Sequence, residues 1–342
     1  MVFKSVFWAG LLLLCLLCVQ QLAGQEVYPG ISYDGVIKTK YEYATETGMS
    51  RFSVRNSRMG LKGKLSAPVS YRVQVELSSS GEFEVLDLSG TLNLFKNFYI
   101  TLGQTGIPIY NSYITSPADI MYANRAFVGK YFTGTRDIGA LAEYSFNAGS
   151  VPVTMELGVF NGNTINDPVW TGNLAYAARV QFGTMEGLRS TVKVYDYPKS
   201  VQSDYFIWGA DLRYGKERFS IESELMSRYN RFDNTDRLSL YLQGAYSFPL
   251  ERSGGFHDLT SGVFHDVTPI ARWDAIGENV GKNDFDVTRL TLGVNLGLNS
   301  KVFDSSLRFN YEHYFVERAI PEFDRYEEMD SNKFTVELLI VF

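Results

Sequence analysis

The last ten residues of this chain alternate. Phe334, Val336, Leu338, Ile340 and Phe342 are apolar, and Lys333, Thr335 and Glu337 sit between the first of them. Successive side chains of a strand point to opposite faces, so this stretch reads as a strand with one apolar and one polar face. The pattern recurs in segments of about ten residues along the chain. Tyr71, Val73, Val75 and Leu77 alternate with Arg72, Gln74 and Glu76. Leu238, Leu240 and Leu242 alternate with Ser239, Tyr241 and Gln243, and Leu290, Leu292, Val294 and Leu296 with Arg289, Thr291 and Asn295.

A soluble sandwich alternates as well, so the direction of the apolar face has to be argued. Aromatic residues sit towards the segment ends: Tyr41 and Tyr43, Phe98 and Tyr99, Tyr144 and Phe146, Tyr246 and Phe248, Tyr311 and Phe315. That placement suits the interfacial girdles of an outward apolar face, and 15% of the chain is aromatic. Past residue 24 no apolar stretch reaches the length of a spanning helix, about 18 residues or more. A closed barrel is then the route into a membrane. About sixteen segments, from 35–45 to 332–342, predict an all-β fold, an antiparallel transmembrane barrel. A barrel of that size encloses water, and its length cannot hold a large plug domain.

The N-terminus reads as a secretory signal. Lys4 precedes the short apolar run Trp8 to Val19, and the small residues Ala23 and Gly24 follow. The expected organisation is a signal peptide over 1–24 and an outer-membrane barrel over 25–342. Cys15 and Cys18 both lie in the leader, so the barrel uses no disulfide. An even strand count puts both termini at the periplasmic side, with short turns there and longer outer loops. The connection 249–265 is too long for that rule. The terminal Phe342 resembles the signal read by the outer-membrane assembly machinery. Lys and Arg number 32 against 38 Asp and Glu, which argues against nucleic acid as a partner. The expected surroundings are outer-membrane lipid of a Gram-negative-type bacterium.

The longest gap between strong strands is 105–135. It is rich in Tyr, Ile, Phe and Pro rather than low in complexity. A long connection of this kind is usually functional, and this one is expected to fold inward as a constriction loop. Its candidate pore residues are Asp119, Tyr122, Arg125 and Lys130, with Arg136 where the next strand begins. Parity places Arg58, Lys62, Lys64 and Arg72 on the lumen side of neighbouring strands as a basic cluster. Over the whole lumen, acids such as Glu42, Glu156, Asp274 and Glu312 nearly balance the bases.

An enzyme is the alternative reading. His257-Asp258 and His265-Asp266 form a repeated pair around the odd long connection, and a hydrolase site or a metal site could use them. No phosphate-cradling loop or nucleophile motif stands out, and no cofactor is expected.

Several runs carry a family resemblance. Arg55-Asn-Ser-Arg58-Met-Gly60-Leu-Lys62-Gly63-Lys64-Leu65 is followed by Tyr71-Arg72-Val-Gln74, Leu102-Gly103-Gln104 and Ile107-Pro108. Asn124-Arg125-Ala126, Arg136-Asp137-Ile138-Gly139, Gly158-Val-Phe-Asn161-Gly162 and Ala271-Arg272-Trp273-Asp274 come next in order. This set resembles the phosphate-selective porin O and P family. The resemblance implies a homotrimer of sixteen-stranded barrels, an inward third loop and passage of small hydrophilic solutes, with anions such as phosphate favoured. In phosphate-selective members, loop lysines and an arginine ladder guide the anion; here the loop offers Arg125 and Lys130.

Overall fold

The computed structural model describes residues 28–342 apart from 55, 78–81, 112–119, 130, 163–164, 169, 201–202, 251–254, 256–259, 261, 299–304 and 320–331. The expected signal peptide therefore lies outside the described residues. So do Asp119, Lys130, His257 and Asp258.

Sixteen strands form one antiparallel sheet. They are β1 (Ser32–Ala44), β2 (Ser50–Ser53 with Ser57–Ser66), β3 (Val69–Leu77), β4 (Phe83–Phe95), β5 (Phe98–Gly106), β6 (Arg136–Ala148), β7 (Val151–Phe160) and β8 (Ala175–Gly183). The second half comprises β9 (Gly187–Ser200), β10 (Ser203–Lys216), β11 (Phe219–Asn230), β12 (Thr235–Tyr246 with Phe248–Pro249), β13 (Phe264–Glu278), β14 (Val287–Leu298), β15 (Ser306–Val316) and β16 (Lys333–Val341). Each strand pairs with its neighbour in sequence. The first piece of β2 pairs with β1 as Lys40↔Ser53 and the second as Val36↔Arg58. The one-residue offset between the two registers is a bulge.

The sheet closes on itself. β16 pairs with β1 from Val36↔Val341 to Ala44↔Lys333. Gly35 and Phe342 extend the seam with hydrogen bonds in both directions, 2.7 and 3.0 Å. A closed sheet has no free edge, which is what a membrane demands of strands.

The faces are those of a membrane barrel. On β1, Ile37 is 41% exposed while the next residue, Lys38, is 5% exposed. The same inversion runs around the wall: Leu88, Leu157, Leu212, Leu242 and Leu292 face out, and Arg179, Lys193, Asp211, Arg272 and Glu337 are buried inside. A soluble sandwich would show the reverse. The turns at one end are tight, as at 96–97 and 149–150, where Gly149 takes a positive φ of 65°. Both described ends of the chain lie at that end. The connection expected over 249–265 spans 250–263 between β12 and β13 and is still the long exception to these tight turns.

Inside the barrel the described residues of the third long connection, 107–111, 120–129 and 131–135, fold inward. Ile107, Ile109, Tyr110, Phe127, Val128, Tyr131 and Phe132 form an apolar cluster with lumen-facing residues of the wall. The wall contributes Phe160, Tyr195, Tyr197, Ile207, Ile276, Val287 and Tyr314, all near the strand ends remote from the tight turns. This core packs against the lumen wall of β7–β15 towards the ends remote from the tight turns.

Candidate functional site

The loop is held against one wall by a dense set of polar contacts. At its start, the Asn111 backbone N–H donates to Glu224 (2.9 Å), and its amide bridges Tyr241 (2.9 Å) and Arg189 (2.5 Å). Further on, the Tyr122 hydroxyl donates to the Ala271 carbonyl at 2.6 Å and the Arg272 guanidinium lies over its ring. Asn295 donates to the Met121 carbonyl (2.9 Å). Beyond the turn, Arg228 donates to the Phe132 carbonyl (2.7 Å) and Tyr110 pairs with Thr133 (2.9 Å).

The anchoring side chains form ion networks of their own. Arg189 and Lys193 share Asp211, each at 2.9 Å, and Lys193 also reaches Glu224. Arg289 contacts Asp274 (2.6 Å) and Glu312 (3.1 Å), and Arg272 lies 3.7 Å from Asp274. Arg308 and Lys40 both meet Glu337, at 3.2 and 3.5 Å. Arg179 binds Glu156 at 2.5 Å. Buried charges of this kind persist only when paired. Each of these bases has at least one carboxylate within ion-pair reach.

The opposite side of the lumen differs. Arg58, Arg72, Arg125 and Arg136 line a cavity of about 250 Å³ together with Asp87, Ser89, Thr91 and Thr101. Arg58 is paired with Glu76, Arg72 with Asp34 (2.5 Å) and Arg136 with Asp87 (2.7 Å). The Gln74 amide fits between two of these pairs, oxygen on Arg72 (2.6 Å) and nitrogen on Asp87 (3.2 Å). Arg125 comes from the loop. Among the described residues its guanidinium meets no carboxylate. Burial and the like charges of Arg58 and Arg136 push its pKa down to about 10, so it stays a cation at neutral pH. Arg125 also lines a second cavity on the loop's other side, with Tyr122, Arg213 and Arg272. That cavity shares Met121, Arg213 and Ser220 with a vestibule of about 910 Å³ at the tight-turn end.

The structure thus brings together four of the sequence-derived candidates, Arg58, Arg72, Arg125 and Arg136. Lys62 lies nearer the 67–68 turn, where it pairs with Asp34 at 3.1 Å, and Lys64 is exposed there as well. Tyr122 is buried against the wall rather than facing the cavity of Arg58. Sequence reasoning missed Asn111, because an Asn in an irregular segment carries no periodic signal, and it met Asn124 only as part of the family-like run Asn124-Arg125-Ala126, with no role assigned. His265 lines the vestibule, 2.7 Å from Asp266. Among the described residues no group of three or more His, Cys, Asp or Glu is placed to hold a metal.

A model of the family "phosphate-selective porin O and P" matches residues 30–238, well over half of the chain. The chain belongs to the phosphate-selective porin O and P family. Solved porins share the fold. The Salmonella typhi OmpF complex with daunomycin superposes with a TM-score of 0.64 at 11% identity, covering 93% of this chain and 100% of that one. An anion-selective porin from Comamonas acidovorans gives 0.59 at 12% identity over 92% and 99%. OmpT of Vibrio cholerae, folded in vitro and in trimer form, gives 0.54 at 11% identity over 92% and 100%. One curated protein, inosine-5'-monophosphate dehydrogenase 2 of Arabidopsis thaliana, matches in part, at 29% identity over 135 residues or 39% of this chain. The chain spans about a quarter of that protein's length (25%), and so short a match shows no family. Family and fold make this porin an outer-membrane channel.

The family-like runs acquire a physical meaning in the porin barrel. Asp137 accepts from the Gly162 N–H (2.7 Å) and the Asn161 N–H donates to Ile138 (3.0 Å), which ties Arg136-Asp137-Ile138-Gly139 to Gly158–Gly162. The Phe160 ring lies across Gly139 and Gly158, where side chains would collide with it. Ala271–Asp274 supplies three loop contacts, to Tyr122, Asn124 and Phe127.

Proposed function

We propose that the protein passes small hydrophilic solutes by passive diffusion and favours anions, phosphate among them, at a constriction built by Arg125, Arg58, Arg72 and Arg136. One observation carries this reading: Arg125 forms no salt bridge with a described carboxylate, Glu76 acting on it only at longer range, and it stands at the junction of two lumen cavities. A fixed unpaired charge at a narrowing sets the sign of the ions that enter. The paired arginines around it offer further donors without a net field of their own. Lys62 and Lys64 belong to the approach from the tight-turn end, and Asp119 and Lys130 are candidate contributors from the same loop.

The rest of the reading follows the family and the chain's own ends. Residues 1–24 serve as the signal peptide, Phe342 as the mark for the assembly machinery, and three copies assemble in outer-membrane lipid. The trimer form of the OmpT relative supports that assembly. The protein acts as a channel and not as a hydrolase: His265 and Asp266 form part of the vestibule wall.

The test is the reversal potential of purified protein in planar bilayers under a KCl gradient and then a phosphate gradient. The expected result is anion preference that falls in Arg125→Gln. An unchanged reversal potential in that variant would remove Arg125 as the filter, and insertion without conductance would remove the channel itself. Hydrolytic activity that disappears in His265→Ala would restore the enzyme reading.

A further inference from the structure

Resting on the reading of Arg125 as the filter, we propose that Asn124 is its positioning residue, the group that turns Arg125 across the lumen. The main chain around it is pinned at successive residues. The Ala123 N–H donates to Asn310 (2.7 Å), and the Ala123 carbonyl accepts from Lys40. The Asn124 carbonyl accepts from Arg272 (3.0 Å) and the Arg125 carbonyl from Arg289 (2.7 Å). The Phe127 N–H donates to Asp274 (3.1 Å). The donors and acceptors come from β1, β13, β14 and β15, all on one side of the barrel.

Within residues 123–125, Asn124 is the residue whose side chain enters this network. Its Oδ1 accepts from the Lys40 ammonium (3.0 Å) and its Nδ2 donates to the Glu312 carboxylate (3.0 Å). An amide meets that double demand. It offers an acceptor to a cation and a donor to an anion, at opposite tips of one planar group. An aspartate would repel Glu312, and a serine is too short to span both partners. Asn124 therefore points into the wall, while the next side chain, Arg125, lines the cavity shared with Arg58 and Arg136.

The arrangement also divides the lumen cations by role. Lys40, Arg272 and Arg289 face the lumen, yet Glu337, Asp274 and Glu312 stand within ion-pair reach of them and each of the three donates to a loop carbonyl. In this proposal they hold the filter through their loop contacts.

A charge-neutral substitution separates positioning from electrostatics. Asn124→Ala removes no charge, so a bare field effect predicts no change in selectivity. The expected result is a fall in the anion-to-cation permeability ratio, from KCl reversal potentials, by at least half of the fall in Arg125→Gln. Asn124→Ser is expected to behave likewise if the alanine variant yields no folded band on unheated gels. Asn124→Asp combined with Glu312→Gln keeps the total charge, reverses the amide–carboxylate pair and is expected to recover the wild-type ratio. Wild-type selectivity in Asn124→Ala or Asn124→Ser beside a shifted Arg125→Gln would overturn the positioning role and leave the filter standing. A folded double swap that stays at the Arg125→Gln ratio would overturn it too. No shift in Arg125→Gln would instead remove the filter and this proposal with it.

Discussion

Asp274 serves two guanidinium groups at once, Arg289 at 2.6 Å and Arg272 at 3.7 Å, and also accepts from the Phe127 N–H of the loop. All three polar side chains are almost wholly buried. Removing one carboxylate would leave two buried cations short of a counter-charge. Breaking a buried pair in this way costs about 3–5 kcal/mol. Asp274→Ala is accordingly expected to lower the unfolding free energy of the detergent-folded barrel, read from its urea midpoint, by that order, whereas loss of the exposed pair Arg231–Asp196 should leave it within about 1 kcal/mol. A midpoint unchanged in Asp274→Ala would show that water in the lumen solvates Arg289 and Arg272.

At the scale of the strand, alternation decides what each position tolerates. Leu242 on β12 faces the lipid and the adjacent Gln243 faces the lumen, where its amide donates to Glu222 at 2.9 Å. Arginine on the lipid face costs about 2–4 kcal/mol at mid-bilayer. Leu242→Arg is expected to reduce the folded fraction on unheated gels, and Gln243→Arg to fold as wild type; equal yields would contradict the assigned faces. This alternation is why all sixteen strands were legible, from the run at 70–77 to the one ending at Phe342. The inward course of the described part of 107–135 was legible too, since its Ile, Tyr and Phe needed burial. Its partners were not. Lys40, Asn124 and Glu312 lie far apart in sequence, and only the closed sheet brings them together. One signal was readable in hindsight: Tyr205-Phe206-Ile207-Trp208 is apolar on both faces, as a strand must be where it meets lipid outside and a dry core inside.

At the scale of the whole molecule, an even number of strands puts both termini at the end with the tight turns. Because both native cysteines, Cys15 and Cys18, lie outside the described barrel, a thiol introduced into a loop of a Cys15→Ser, Cys18→Ser background reports orientation cleanly. A cysteine at Lys282, between β13 and β14, is expected to react with an impermeant maleimide on intact cells. One at Glu217, in the turn between β10 and β11, should react only after the cells are broken. The reverse pattern would invert the barrel. The apolar core packed against the lumen wall has an electrical consequence as well. Water on every side of an ion pathway would weaken the potential of any single wall charge. Here the apolar cluster begins at Ala126 and Phe127, next to Arg125, so on that flank the field of Arg125 is less screened than in open water. A chain with six more acids than bases could in this way hold a positive potential at the Arg125 constriction proposed above.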